Sequence, residues 1–470
     1  MWTIVLLINI LCVLSLIFIE RKEPNTTWAW LLIFIILPGL GFLIYLMFGQ
    51  NLSKEKLFNE KTITDEKKAK KLLETLSEES HHHEQLDHCL DLIKMNYNHS
   101  GALFFAGNRV KMYTVGEEKY NDLFQDIRNA KKFIHIEYYI FRMDGLGITL
   151  LYELQQKVKE GVEVRFVVDA MGSKALRKKH IEYIKSLGID FHIFFPVLIP
   201  RIIPRFNFRN HRKIVVIDGE IGYVGGFNVG DEYVNRGEQF SFWRDTHIRM
   251  EGKAVDELNK RFILDFEHAS EKELGDYTKY FPEKPFLGDV GMQIVSSGPD
   301  HKEEYIKIAY MKIINNAKKY VYIQTPYLVL DEPIKEALKI AALSGVDVRL
   351  IVPDKPDHFY MAWMLSATIG ELMEFGVKFY KYQKGFIHSK TIVSDGLISS
   401  IGTANMDIRS FKLNFEVNAI LYSEDMAKQC TDVFLKDQAD CRLVTKEEYQ
   451  GRSKTLKVKE SIIRLVSPLL

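Results

Sequence analysis

The chain of 470 residues repeats itself, and the repeat restricts it to architectures that can be built twice and closed against each other. His211-Arg212-Lys213 is followed by Asp218 five residues past the lysine, and His388-Ser389-Lys390 by Asp395 at the same distance. Gly225-Gly226-Phe227-Asn228 begins seven residues after the first aspartate and Gly402-Thr403-Ala404-Asn405 seven after the second. Upstream, Gly161-Val162-Glu163-Val164-Arg165 and Gly345-Val346-Asp347-Val348-Arg349 agree almost residue for residue. The period is too long for a solenoid, so duplication of a domain is the simplest account.

Around these segments the apolar pattern gives the same order of elements in each copy. The first copy reads as a strand at 131–136, a helix over 147–160 with apolar Leu151, Leu154 and Val158, and a strand at 162–168. In the second, a strand at 318–323 precedes a helix carrying Ile334, Ala337, Leu338 and Ala341, and a strand at 346–352. Helices alternating with apolar strands predict mostly parallel sheets covered on both faces. The expected fold class is therefore α/β: two tandem α/β sandwich domains, 106–280 and 281–470, forming one pseudo-symmetric unit. Residues 51–105 read as a linker; its His81-His82-His83 has no carboxylate or cysteine pattern to complete a metal site.

Residues 1–19 carry no charge and would extend about 28 Å as a helix, close to the hydrocarbon thickness of a bilayer. A second uncharged run, 28–48, opens with Trp28 and Trp30 and contains Pro38, Gly39 and Gly41. With only 20–27 between them, the runs predict a hairpin of two transmembrane helices. Arg21 and Lys22 stand in the loop, while Lys54, Lys56, Lys61, Lys67 and Lys68 follow the second run, which predicts a multi-pass protein of the plasma membrane with cytoplasmic catalytic domains. A cleaved signal peptide fits poorly, for the first run has no basic leader and no small-residue cleavage pattern.

His and Lys two apart on a strand would share a face, so that one nucleophilic imidazole and one fixed cation could meet the same phosphate. Asn228 and Asn405 could donate to its oxygens. Asp218 and Asp395 have the wrong parity for that face and stand before a glycine, which suits a turn or a pairing with a neighbouring base. A carboxylate must still hold each imidazole in one tautomer. Asp245 and Glu416, in the matching segments Trp243-Arg244-Asp245 and Asn414-Phe415-Glu416, are the candidates, with Glu238 an alternative in the first copy. A lysine two residues from each histidine would repel a metal cation, which points away from metal catalysis.

These residues resemble the H-x-K-x-x-x-x-D signature of the phospholipase D superfamily, and within it the bacterial cardiolipin synthases, over essentially the whole chain. The resemblance implies one site at the interface of the two halves, in which one histidine attacks phosphorus and the other protonates the leaving oxygen, giving a phosphohistidine. Carried over by position, His211 would be the nucleophile and His388 the general acid, with the reverse assignment open; Lys213, Lys390, Asn228 and Asn405 would hold the phosphate, and Asp218 and Asp395 complete the catalytic signature. It further implies transfer of a phosphatidyl group from one phosphatidylglycerol to another, with cardiolipin and glycerol as products and no cofactor or metal. A phospholipase D-type hydrolase, or a phosphatidyltransferase using another alcohol, would carry the same motifs.

Membrane phospholipid is thus the expected partner. Arg201, Arg205, Arg209 and Arg212, interleaved with Ile202, Ile203, Phe206 and Phe208, suit anionic headgroups beside acyl chains. The C-terminal Ile462, Ile463, Leu465, Val466, Leu469 and Leu470 around Arg464 fit either an interfacial helix or packing on the catalytic part. A nucleic-acid partner is disfavoured, since 63 Lys and Arg residues against 62 Asp and Glu leave no general basic surface.

Overall fold

The computed structural model describes residues 2–19, 24–48, 88–195, 207–301, 303–357 and 359–466. Each half contributes the same sequence of strands to one continuous sheet. In the first half the order is Asp190–Phe194, Glu163–Asp169, Phe133–Tyr138, Ile214–Ile217, Ile221–Gly225, His247–Glu251 and Phe104–Tyr113. In the second it is Lys378–Tyr382, Asp347–Pro353, Tyr320–Gln324, Thr391–Ser394, Ile398–Gly402, Asn414–Tyr422 and Val290–Ser297, with Cys441–Leu443 added at the outer edge. The halves join where Phe104–Tyr113 divides its pairing: Phe104 and Phe105 face Gln293 and Met292, then, past an irregularity at Gly107, Arg109–Tyr113 face the first half.

Only the three outer strands of each set run parallel; the remainder are antiparallel. The sequence expectation of mostly parallel sheets is corrected here, because the residues after each His-x-Lys turn back directly as a hairpin instead of crossing over through a helix. Asp144 and Asp331 start the equivalent helices Gly145–Lys159 and Glu332–Leu343, each accepting from a backbone N–H of the first turn. Outer helices cover one face of each sheet half in two separate apolar cores. The inner helices Ala254–Ser270 and Glu424–Ala439 share one central core, where Phe262, Phe266, Phe415 and Phe434 from both halves meet.

Near the N-terminus, Trp2–Leu14 is α-helical and passes into π-helical Ser15–Ile19, while Pro24–Ile36 and Leu40–Phe48 are two helices separated at Leu37–Gly39. Leu16, Trp30, Phe34 and Tyr45 pack together, Trp30 and Tyr45 edge to face at 5.0 Å. No helix among the described residues is long and apolar enough to cross a membrane. The expected second span is divided because Pro38 lacks an N–H and Gly39 adopts φ +82°. Most of the expected linker, with His81-His82-His83, lies outside the described residues, as do Arg201, Arg205 and 467–470.

Two arginines expected at a lipid surface are buried instead. Arg209 is 3.6 Å from Asp169, and Arg212 donates to Asp265 at 2.6 Å; both pairs are sequestered. At the C-terminus, Lys454–Val466 forms a helix that packs on the helix Phe359–Met373, with buried Glu460 accepting from Ser366 at 2.5 Å, while Ile462 stays exposed.

The signature aspartates are framework residues. Asp218 accepts from the backbone N–H groups of Lys131, Lys132 and Phe133 at 2.7–2.9 Å, and Asp395 from those of Lys318, Lys319 and Tyr320 at 2.7–2.8 Å. Both occupy left-handed turns, at φ +55° and +54°, followed by glycine. Neither lines the site cavity, so their expected place among the catalytic residues gives way to fastening the turn to the neighbouring strand. Asp218→Ala is expected to destabilise the fold by roughly 2–3 kcal/mol, as loss of charge-assisted bonds to three donors requires. Denaturant unfolding of the detergent-solubilised protein measures this.

Candidate active site

The site is made by two short exchanges of backbone between the halves. Arg209 and Asn210 pair in parallel with Asn414 and Phe415, while Phe386 and Ile387 pair in parallel with Trp243 and Arg244. His211 N–H then donates to Phe415 O at 2.9 Å, and His388 N–H to Arg244 O at 2.7 Å. One residue further along each parallel register, the histidine of one half stands beside the carboxylate of the other. His211 and Lys213, like His388 and Lys390, therefore occupy the gap between a two-residue exchange strand and the hairpin, and not the regular strand expected from sequence.

His211 Nδ1 lies 2.9 Å from Glu416 Oε2, and His388 Nδ1 lies 2.6 Å from Asp245 Oδ2. With Nδ1 engaged, Nε2 of each ring is the nitrogen left for chemistry. The carboxylates are themselves fixed. Thr403 Oγ1 donates to Glu416 at 2.5 Å, and Thr246 N–H donates to Asp245 at 2.7 Å. At the position equivalent to Thr403 stands Gly226, where a Cβ would fall 1.9 Å from Asp245 Oδ1. The shorter Asp245 thus needs a glycine beneath it, whereas the longer Glu416 is met by a hydroxyl. Glu238, the alternative orienting residue, is exposed and takes no part.

Lys213 and Lys390 each reach back to the carbonyl of the histidine two residues earlier, Lys213 at 2.5 Å. Asn228 and Asn405 line the same cavity of about 490 Å³ as His211 and His388, together with Tyr139, Trp243, Tyr327, Asp407 and Arg409. Asn228 Oδ1 accepts from Ile140 N–H at 3.1 Å and its amide nitrogen donates to the Tyr233 hydroxyl at 3.3 Å, which leaves that nitrogen's second N–H for a ligand oxygen. Sequence reasoning missed Thr403, Tyr139, Asp407 and Arg409. The first shares the glycine-led segment already matched, and its hydroxyl opposite Gly226 was the available signal. Tyr139, whose ring is 4.9 Å from His211, lies just past a strand end and had none.

Burial lowers the basicity of His211 to about 4 and of His388 to about 3, with Lys213 and Lys390 adding to the effect. Burial likewise brings Lys213 down to about 7 and Lys390 to about 8. It also pushes Asp245 and Glu416 upward, but Lys390 and His388 at the first, and His211 and Lys213 at the second, outweigh it and keep both carboxylates ionised. With both lysines protonated, two ammonium groups, two carboxylates and two neutral rings are balanced in charge. A phosphodiester monoanion added between them calls for one proton. At about 4 Å and an effective dielectric of about 20, its attraction for an imidazolium is about 4 kcal/mol, enough to bring a ring from about 3 to near neutrality.

A duplicated α/β half presenting one His-x-Lys and one crossed carboxylate to a shared anion cavity defines a class of phosphodiester-handling proteins. The family model described as cardiolipin synthase, PLD-like domain matches 123–265 and 310–438, one stretch in each half, and the model described as phospholipase D-nuclease N-terminal matches 7–50. A cardiolipin synthase of Clostridium perfringens (strain SM101 / Type A) is 48% identical over 461 residues, 96% of either chain. One of Staphylococcus aureus (strain Mu50 / ATCC 700699) is 45% identical over 475 residues, covering 99% of this chain and 95% of its own. The chain belongs to the cardiolipin synthase family. In fold it is similar to the crystal structure of a phosphatidylserine synthase from Haemophilus influenzae Rd KW20, with TM-score 0.60 and 14% identity over 81% of this chain and 97% of that one.

Gly226→Ala is expected to displace Asp245 and lower turnover at least about ten-fold, with an unfolding midpoint close to that of the wild type. Equal loss in Thr403→Ala and none in Gly226→Ala would contradict the steric argument. A second expectation concerns acid. Unfolded histidine takes up a proton near its ordinary value of 6.5, whereas the folded rings resist until about 4 and 3, so the folded state loses stability as pH falls through that window. Replacing both histidines by glutamine should flatten the stability curve between pH 6.5 and 4, read by unfolding at constant ionic strength.

Proposed function

We propose that the chain is a phosphatidyltransferase that makes cardiolipin and glycerol from two molecules of phosphatidylglycerol through a phosphohistidine. The observation that carries this reading is the pair of crossed imidazole–carboxylate contacts facing one cavity with two buried lysines. A single such pair would support hydrolysis by activated water. Two, related by pseudo-symmetry on opposite sides of one anion, suit a double displacement in which one ring bonds to phosphorus while the other manages the proton.

His211 Nε2 attacks phosphorus; the bond from phosphorus to the glycerol oxygen breaks, and His388 Nε2 gives that oxygen its proton. The hydroxyl of the second lipid then attacks the phosphohistidine, returns a proton to His388 and releases His211. One ester bond is lost and one formed, so no nucleotide is consumed. Lys213, Lys390 and Asn228 stabilise the charge that gathers on the phosphorus oxygens. Glu416 and Asp245 hold the ring tautomers, and an imidazolium on His388 is stabilised by Asp245.

The N-terminal region is proposed to lie in the plasma membrane, with the catalytic halves on the cytoplasmic side. Leu7, Ile10, Leu11, Phe18, Trp28, Ile35 and Ile36 are more than half exposed there, a density of apolar surface that water disfavours and lipid accommodates. The positive-inside asymmetry of the flanking lysines supports the orientation.

Radiolabelled phosphatidylglycerol supplied to the purified protein in vesicles should yield cardiolipin and glycerol in equal amounts, unaffected by chelators. His211→Ala and His388→Ala should each lower turnover by at least about a thousand-fold. Phosphatidic acid as the sole lipid product would overturn the transferase reading in favour of a hydrolase, and activity restored to a chelated sample by one divalent ion would overturn the mechanism.

A further inference from the structure

The pseudo-symmetry that builds the cavity is broken where its walls differ in charge. Counting from the two cavity asparagines, the second residue past Asn228 is Gly230 and the second past Asn405 is Asp407; the fourth is Glu232 in one half and Arg409 in the other. Glu232, Asp407 and Arg409 all line the cavity. Arg409 is directed to the side of Asn207, donating to its carbonyl at 2.8 Å and to Oδ1 at 3.0 Å, next to the segment that leads into His211. Glu232 is held by Arg142 at 2.9 Å. Across from it Tyr327 donates to Asp357 at 2.5 Å, and both again face the cavity.

Asp407 is the unusual member. It is 6% exposed, and one of its oxygens accepts from Ser410 N–H at 2.6 Å as the cap of the short helix Ile408–Lys412. Burial raises its carboxyl to about 6, despite that bond. Beside it Asn405, 4% exposed, leaves its Oδ1 without a hydrogen-bond partner. An acceptor oxygen with no donor, beside the Asp407 carboxylate, is poorly suited to the phosphate expected at Asn405 and well suited to hydroxyl groups, which are donors. Asp357 and Asp407 also lie close enough to Lys390 to oppose, with Asp245 and Glu416, the loss of basicity that burial imposes on it, and Asp407 is within the same reach of Glu416 and Arg409.

We propose that Asp407, Asp357 and the Asn405 carbonyl oxygen form a polyol subsite that reads the glycerol hydroxyls of the leaving group and of the incoming lipid headgroup. The inference rests on the transferase reading and adds what that reading lacks, a reason for preferring glycerol over water or a simple alcohol. Leaving and entering glycerol occupy one place by microscopic reversibility, so a single subsite serves both half-reactions.

The test is a competition. Full-length protein in mixed micelles receives phosphatidylglycerol with equal concentrations of labelled glycerol and 1-propanol, and the ratio of glycerol-exchanged lipid to phosphatidylpropanol is measured. Propanol carries the reacting hydroxyl alone, so the wild type should favour glycerol strongly. Asp407→Ser, which keeps a helix-capping oxygen, and Asp357→Asn should each lower that ratio at least about ten-fold, as expected where a site built for hydroxyls loses its acceptors. A ratio equal to that of the wild type overturns the subsite, whatever the absolute rates. A parallel collapse of both products in both variants overturns it too, since a hydroxyl-reading wall must distinguish the two alcohols. Should the wild type transfer to neither alcohol nor to lipid, the transferase reading itself fails, an outcome separate from loss of the ratio.

Discussion

Everything in this molecule turns on the exchange of carboxylates between halves. Neither half holds its own histidine: Glu416 of the second fixes His211, and Asp245 of the first fixes His388. The contact demands that Arg209–Asn210 lie on Asn414–Phe415 and Phe386–Ile387 on Trp243–Arg244, which in turn demands the shared central core and the continuous sheet. Buried arginines secure the same interface. Arg212 reaches Asp265, Glu416 O and Ser297 O, and Arg244 reaches Asp437 at 2.9 Å. Breaking a buried pair of this kind typically costs about 3–5 kcal/mol, because a charge is left without its counter-charge. Catalytic geometry and the association of the halves are therefore one structural fact, and an isolated half would hold neither a complete imidazole–carboxylate pair nor a closed cavity.

The electrostatics follow from that closure. Sequestering two lysines and two histidines together makes every one of them less basic, and the two carboxylates suffice to keep the lysines useful but not to protonate the rings. A substrate phosphodiester changes this by adding a negative charge to a balanced cluster, which then calls for one proton. The proton required of the general acid is thereby recruited with the lipid, so that acid and nucleophile can be the same kind of residue and still take different states at the same pH.

How much of this could be read from sequence depends on the range of the interaction. The duplication and the order of strand, helix and strand were legible because local spacing encodes them twice, whereas the partnership of His211 with His388 came from the family resemblance. Asp245 and Glu416 were legible as the acids in equivalent strands, but their crossing was not, since it is decided by two-residue ladders between segments far apart in the chain. The aspartates of the signature were legible as turn residues from parity and the following glycine, while the three backbone bonds by which each holds its left-handed turn come from a neighbouring strand far away in the chain. Arg209 and Arg212 read as surface cations because alternation with aromatic residues carries no sign of the buried aspartates awaiting them.

Duplication supplies two similar active groups, and double displacement gives them different tasks. The differences are small and local: Gly226 against Thr403, Asp245 against Glu416, Gly230 against Asp407, Glu232 against Arg409. The first two keep each ring aligned with a carboxylate of different length, so they preserve equivalence of geometry while changing its parts. The last two alter what the cavity wall offers, setting an acid and a cation of the second half against a glycine and an acid of the first. A symmetric cavity would bind the phosphate equally well in two orientations, with either ring placed to attack. Charge asymmetry in the wall removes that degeneracy without disturbing the symmetric scaffold that holds the rings.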